Sequence, residues 1–116
     1  MNKFLKRLGL KIGYALKGLQ YVWRRELSFQ VEAALGLILI GYAYFASWPP
    51  GKWLVLICLI VIILFAEIIN TILERLLDLV EPRLSQPVAL LKDVLAGAVL
   101  WLVLGASLVV ILLIAV

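Results

Sequence analysis

The sequence has no histidine, one cysteine and one methionine among its 116 residues. A lone thiol, Cys58, has no partner within the chain, which excludes an intramolecular disulfide and a zinc site of the Cys/His type. It lies in the middle of an apolar run and reads as packing, the usual role of a single small thiol in such a run. Without histidine, any proton transfer falls to carboxylates, Lys, Tyr or water. Charge is scarce as well: 16% of the residues are Asp, Glu, Lys or Arg, and none of these lies in 33–47, in 54–66 or after Asp93.

What remains is apolar. Hydrophobic residues make up 66% of the chain and the mean hydropathy is +1.14, far from the composition of a soluble domain. A membrane-crossing helix takes ~20 mostly apolar residues, and the chain has room for three and little else. The pattern predicts an all-α membrane protein, one domain over 1–116, with spans at 27–47, 53–79 and 88–116. Pro49, Pro50 and Gly51 break the first junction, and Pro82 and Pro87 the second. The first apolar segment is full length and lacks a small-residue cleavage site, so the amino terminus reads as retained rather than as a signal peptide.

Orientation follows from the cations. Seven of the eleven Lys and Arg residues precede the first span, Lys52 lies in the first loop, and Arg75, Arg83 and Lys92 surround the second. The amino terminus and second loop are therefore expected in the cytoplasm, with Trp48 and Trp53 at the opposite interface. The net charge of +4 points to orientation and to anionic lipid or phosphate, not to nucleic acid.

Residues 1–25 show a helical period. Leu5, Leu8, Ile12, Leu16, Leu19 and Trp23 fall in a stripe ~80° wide, and Lys3, Lys6, Arg7, Lys11, Lys17, Arg24 and Arg25 lie opposite. This predicts an amphipathic helix in the headgroup layer. Tyr14, among Arg7, Lys11 and Lys17, belongs to a face equally suited to a polyphosphate.

The stretch "LFAEIINTILERLLDLVEP", 64–82, sets Glu67, Asn70, Glu74 and Asp78 within ~80° of one another on a helix. Glu74 and Asp78 are near the expected interface, where Arg75 and Arg83 can pair with them. Glu67 is different, because it lies ~21 Å from the outer end of its span and ~10 Å or more below the cytoplasmic surface. An ionisable group at such depth costs on the order of 2.5–3.5 kcal/mol and marks function by default. It reads as a base beside a membrane-embedded substrate, or alternatively as a protonated Glu in an interhelical hydrogen bond. The spans bring Glu26, Asn70, Glu74 and Asp93 to one level with Lys92, and Glu32 lies nearly two turns inside the first span. Carboxylates with Lys and no His suit a hard cation such as Mg²⁺ shared with substrate phosphates. An ion or proton pathway is the other reading, but a relay needs polar groups at several depths, whereas these stop halfway.

"EIINTILERLLD", 67–78, resembles the signature of the prokaryotic diacylglycerol kinase and undecaprenol kinase family, Glu-x-x-Asn-Ser/Thr-x-x-Glu-x-x-x-Asp. "LKDVLAGAVL", 91–100, is similar to the Ala-Lys-Asp block of that family, and "GYALKGLQYVWRRELSFQVE", 13–32, also matches. The resemblance implies a homotrimer in the bacterial inner membrane that moves the γ-phosphoryl of MgATP to the primary hydroxyl of a lipid. It implies Glu67 as catalytic base with Asn70 orienting the reacting groups, Glu26 and Glu74 as metal ligands, and Arg7, Tyr14, Lys92 and Asp93 as nucleotide contacts together with Glu26 and Glu74. Arg83 and Ser85 belong to a nucleotide-side turn, and Glu32, Trp48, Trp53 and Ala96 to the lipid side along with Glu67. Asp78 and Lys17 support the polar seam.

Two departures stand out. "RLS", 83–85, replaces the common Glu-Tyr-His turn, and Ile72 fills a position often held by a small residue. For the lipid, Glu32 and "SFQVE" are similar to the diacylglycerol kinases, while "LLDLVEP" and "KDVLAGAVLW" are closer to the undecaprenol kinases. Diacylglycerol is the expected substrate and undecaprenol the alternative.

Overall fold

A computed structural model describes residues 2–80 and 86–116, all helical apart from short connections. The helices are α1 (Asn2–Arg25), α2 (Leu27–Phe45), α3 (Pro50–Val80) and α4 (Gln86–Ala115). The last three are each long and apolar enough to cross a membrane. At 1.5 Å per residue α3 is about 46 Å long, more than the ~30 Å of a hydrocarbon core, so one of its ends protrudes or the helix tilts.

The ends of the helices differ from the sequence expectation by up to three residues, for reasons of proline chemistry. α3 starts at Pro50 rather than at Trp53, and α4 at Gln86 rather than at residue 88. Proline lacks only a donor that the first turn leaves unpaired, and its fixed φ suits that turn, so Pro50 and Pro87 begin helices instead of merely breaking them. Pro49 accepts at the start of α3, from the backbone N–H groups of Lys52 and Trp53 at 3.1 and 3.2 Å. α2 ends at Phe45, not Ser47. Among the described residues Ser47 is the one non-glycine residue of positive φ, 55°. The left-handed step returns Trp48 to the helix end, where its N–H donates to the Ala43 carbonyl at 3.1 Å.

Between α1 and α2 the chain turns at Glu26, whose backbone is extended (φ −111°, ψ 107°). The corner is braced by Gln30, whose amide donates to the Trp23 carbonyl, and by the edge-to-face contact of Trp23 and Phe29, 6.3 Å between centroids. Such contacts satisfy a carbonyl that the end of α1 leaves without an intrahelical donor.

α3 is central, packing on α2 along one side and on α4 along the other, while α1 packs against α2. Gly36 is buried where α2 crosses α3; a Cβ there would stand 3.4 Å from the Ile60 side chain. Ala43, Trp48 and Leu56 form the buried cluster, with Leu39, Ile40, Trp53, Ile60 and Leu113 around it. Trp48 is thus a core side chain rather than an indole facing the interface. Cys58 is exposed, contrary to the packing role read from the sequence. It shares that fate with most of the large apolar side chains, including Ile57, Val61, Phe65, Leu104 and Leu108. The radius of gyration is 17.8 Å, against about 13 Å for a compact globule of this length.

Candidate functional site

α3 carries the polar residues, and its packing decides where each one points. Glu67 turns towards α2 and is 5% exposed. Its Oε2 accepts a hydrogen bond from Ser28 Oγ at 3.1 Å. Thr71, also buried, donates its hydroxyl to the Glu67 backbone carbonyl at 3.0 Å. Glu32 lies near enough to Glu67 for the two carboxyl groups to interact electrostatically.

One turn further along, Asn70 donates its amide to Glu74 Oε1 at 3.2 Å. Asn70 Oδ1 is buried and has no hydrogen-bond partner among the described residues. Unpaired buried oxygens are uncommon in folded proteins. Asn70 also lines a groove between α3 and α4 with Ala66, Ile69, Leu73, Ala98 and Leu102.

The charged pairs are not those of local sequence spacing. Arg75, expected beside Glu74 or Asp78, reaches from α3 to Glu26 at the α1–α2 corner, Nη2 to Oε1 3.4 Å. Asp78 pairs across to Lys92 of α4. The predicted seam therefore has three directions: Glu67 to α2, Asn70 and Glu74 to each other, Asp78 to α4. Arg83 and Ser85 lie outside the described residues. Asp93 and Ala96 are exposed on α4, and Asp93 makes no ion pair among the described residues.

Other predicted residues stay apart. Arg7, Tyr14 and Lys17 are exposed on α1 and make no hydrogen bond or ion pair among the described residues, so the protomer does not join Lys17 to the seam. Trp48 and Trp53 sit at the far end of α3, about 21 Å along the axis from Glu67 in the case of Trp53. Between the two ends runs an apolar groove of about 330 Å³ over α2, α3 and α4, with Glu32 at one end, Ile111 at the other and Ser107 on its wall. A second cavity, about 590 Å³, separates α1 from the last turns of α3 and is lined by Leu19, Val22, Ile68, Ile72 and Arg75 among others.

No three acidic side chains converge as a metal cage among the described residues. Glu26 and Glu74 offer oxygen donors of the class a hard divalent cation takes. Each is now held by a neighbour, Arg75 and Asn70 respectively. Mg²⁺ is usually bound by one or two carboxylates plus substrate phosphates, so the donor set fits a cation that arrives with a polyphosphate.

Sequence periodicity missed Ser28. A single Ser in the first turn of an apolar helix carries no spacing signal, and only the packing of α2 on α3 brings it to a carboxylate 39 residues away. Compared with known proteins, the chain matches the family model "Prokaryotic diacylglycerol kinase" over residues 13–114. No individual curated protein matches it.

Proposed function

The chain belongs to the prokaryotic diacylglycerol kinase family, a family of small membrane lipid kinases, and from that premise we propose that it converts diacylglycerol and MgATP to phosphatidic acid and ADP. The observation that carries this reading is the burial of Glu67, 5% exposed, two helical turns along α3 from the more accessible Glu74. One carboxylate is set for a substrate that stays in the bilayer, the other for one that stays in water.

In this reading Glu67 takes the proton of the primary lipid hydroxyl. The hydroxyl oxygen forms the new O–P bond, and the bond from the γ-phosphorus to the β,γ-bridging oxygen breaks to leave ADP. Phosphoryl transfer asks little covalent chemistry of a protein, mainly alignment and charge neutralisation. Glu26 and Glu74 would hold Mg²⁺ together with the nucleotide phosphates, and the cation would supply the neutralisation. Asn70 Oδ1 is the free acceptor that orients the reacting groups. Lys92, Asp93, Arg7 and Tyr14 serve the nucleotide, with Arg83 and Ser85 on the connecting turn. Glu32, Trp53 and Ala96 border the lipid, whereas Trp48 is buried in the core.

The seven cations before α2 favour a cytoplasmic amino terminus in the bacterial inner membrane. α1 would lie on that surface with Leu5, Leu8, Ile12, Leu16, Leu19 and Trp23, all exposed in the protomer, sunk among the lipids. Homotrimer formation is part of the reading: among the described residues Arg7 and Tyr14 of α1 and Asp93 of α4 make no hydrogen bond or ion pair with the rest of the protomer, and neighbouring protomers would bring them to the α3 carboxylates.

Undecaprenol is the second candidate acceptor, favoured by the length of the apolar groove that runs from Glu32 to Ile111. Apolar walls distinguish chains by only ~1–3 kcal/mol per feature, so the lipids are compared directly. Purified protein in mixed micelles is given γ-labelled MgATP and either diacylglycerol or undecaprenol, with Glu67→Gln as control. Label on diacylglycerol that the control loses supports the proposal. Label on undecaprenol alone changes the substrate, and label on neither lipid sinks the kinase reading.

A further inference from the structure

Three hydroxyls of the apolar helices invite comparison. Thr71 Oγ1 donates to the carbonyl of Glu67 at 3.0 Å and Ser107 Oγ to that of Val103 at 2.7 Å. Both use the carbonyl four residues back, the usual recourse of a hydroxyl in an apolar helix. Ser28 has no such carbonyl in its own helix. It is the second residue of α2, Arg24 belongs to α1, and the extended backbone of Glu26 separates the two. Its proton goes instead to Glu67 Oε2, at 3.1 Å.

That donor is the only side chain hydrogen-bonded to the Glu67 carboxylate among the described residues. Glu32, four residues after Ser28, is on the same face of α2. α2 thus presents one group that draws the Glu67 carboxylate towards it. Without the hydroxyl, the carboxylate loses its anchor. With it, Oε2 is fixed and Oε1 is left as the oxygen for an incoming proton.

We propose that Ser28 is the positioning residue of the reaction, aiming Glu67 by holding Oε2 so that Oε1 faces the lipid hydroxyl. This rests on the reading of Glu67 as the base. Aim matters because small misplacements of a proton acceptor are costly in rate, while substrate binding does not depend on them.

The test compares Ser28→Val, which removes the hydroxyl at similar size to threonine, with Ser28→Thr, which keeps it. Lipid phosphorylation is measured in mixed micelles, and infrared difference spectra of the same proteins in lipid follow the carboxylate band that Glu67→Gln removes. Ser28→Val is expected to lower kcat about 10- to 100-fold, as loss of a hydrogen bond to a charged group does, with KM for lipid and for MgATP within about twofold. The Glu67 band shifts in Ser28→Val and returns in Ser28→Thr, whose kcat recovers to within about threefold of the parent. A Ser28→Val protein with kcat within about twofold of the parent overturns the inference and leaves the kinase reading intact. Equal loss in both variants with the band unmoved also overturns it, as a packing effect. A parent protein that labels neither lipid overturns both readings.

Discussion

Arg75 and Glu26, 49 residues apart in the chain, meet with Nη2 3.4 Å from Oε1, so that α3 is tied to the α1–α2 corner through the carboxylate proposed above as a metal ligand. The arginine side chain is 55% exposed and the glutamate 22%, and pairs of such exposure contribute little, about 0–1 kcal/mol. A bound divalent cation easily outcompetes an interaction of that size.

Arg75→Gln is therefore expected to lower the Mg²⁺ concentration for half-maximal activity at fixed ATP by up to about fivefold, because Glu26 is released from its competitor. The measurement is a Mg²⁺ titration of lipid phosphorylation for the two proteins. A rise in that concentration would instead put Arg75 on the phosphates, with its contact to Glu26 incidental.

Hydropathy made the three long helices legible, because their length and apolarity need no partner to be recognised. Their ends were less so. Pro50 and Pro87 were read as breaks, yet proline in a first turn is also a start signal, and the structure uses it as one. Within the site, Glu67, Asn70 and Glu74 stood out by depth and spacing along a single helix. Ser28 and the partner of Arg75 did not, since both are defined by contacts between helices, which periodicity does not encode. Cys58 was misjudged for a related reason: in a chain surrounded by lipid an apolar side chain needs no protein neighbours.

Asp78 holds Lys92 on the same side of α3 that faces α4. If Lys92 serves ATP phosphates, Asp78 competes for it. Asp78→Asn should leave KM for MgATP unchanged or lower it up to about fivefold, while Lys92→Gln raises KM by about tenfold or more. Asp78 is half exposed, 51%, so the coupling in the double mutant is expected below about 1 kcal/mol. Steady-state kinetics of the three variants check this, and a KM unaffected by Lys92→Gln removes Lys92 from the nucleotide.

Gly36 meets Ile60 where α2 crosses α3, and a Cβ there would sit at an ordinary contact distance, 3.4 Å. Alanine should be accommodated at under about 1 kcal/mol, because the isoleucine side chain can give slightly. Leucine has no space without separating the helices, and overpacking of this kind costs about 1–3 kcal/mol. The expected order of resistance to unfolding by SDS in mixed micelles is parent, then Gly36→Ala, then Gly36→Leu. The same order would hold for activity if the crossing sets how Ser28 approaches Glu67.

At the opposite end of the bundle, Lys52 donates to the Leu113 carbonyl at 2.7 Å and sits 5.4 Å from the centre of the Trp48 ring. The last carbonyls of α4 have no intrahelical donors and carry the negative end of the helix dipole, so an ammonium there is doubly favoured. Lys52→Met keeps the length and apolar stem but removes the donor and the charge, and should cost about 1–2 kcal/mol. The loss appears as a lower SDS midpoint. Lys52 is about 22 Å along α3 from Glu67, and nothing assigned to catalysis touches it, so kcat should stay within about twofold. Lys52→Arg, which retains charge and donors, should recover most of the midpoint. A large fall in kcat with an unchanged midpoint would mean that the two ends of α3 are not independent, and that the grip of Lys52 on α4 reaches the carboxylates through the helix packing.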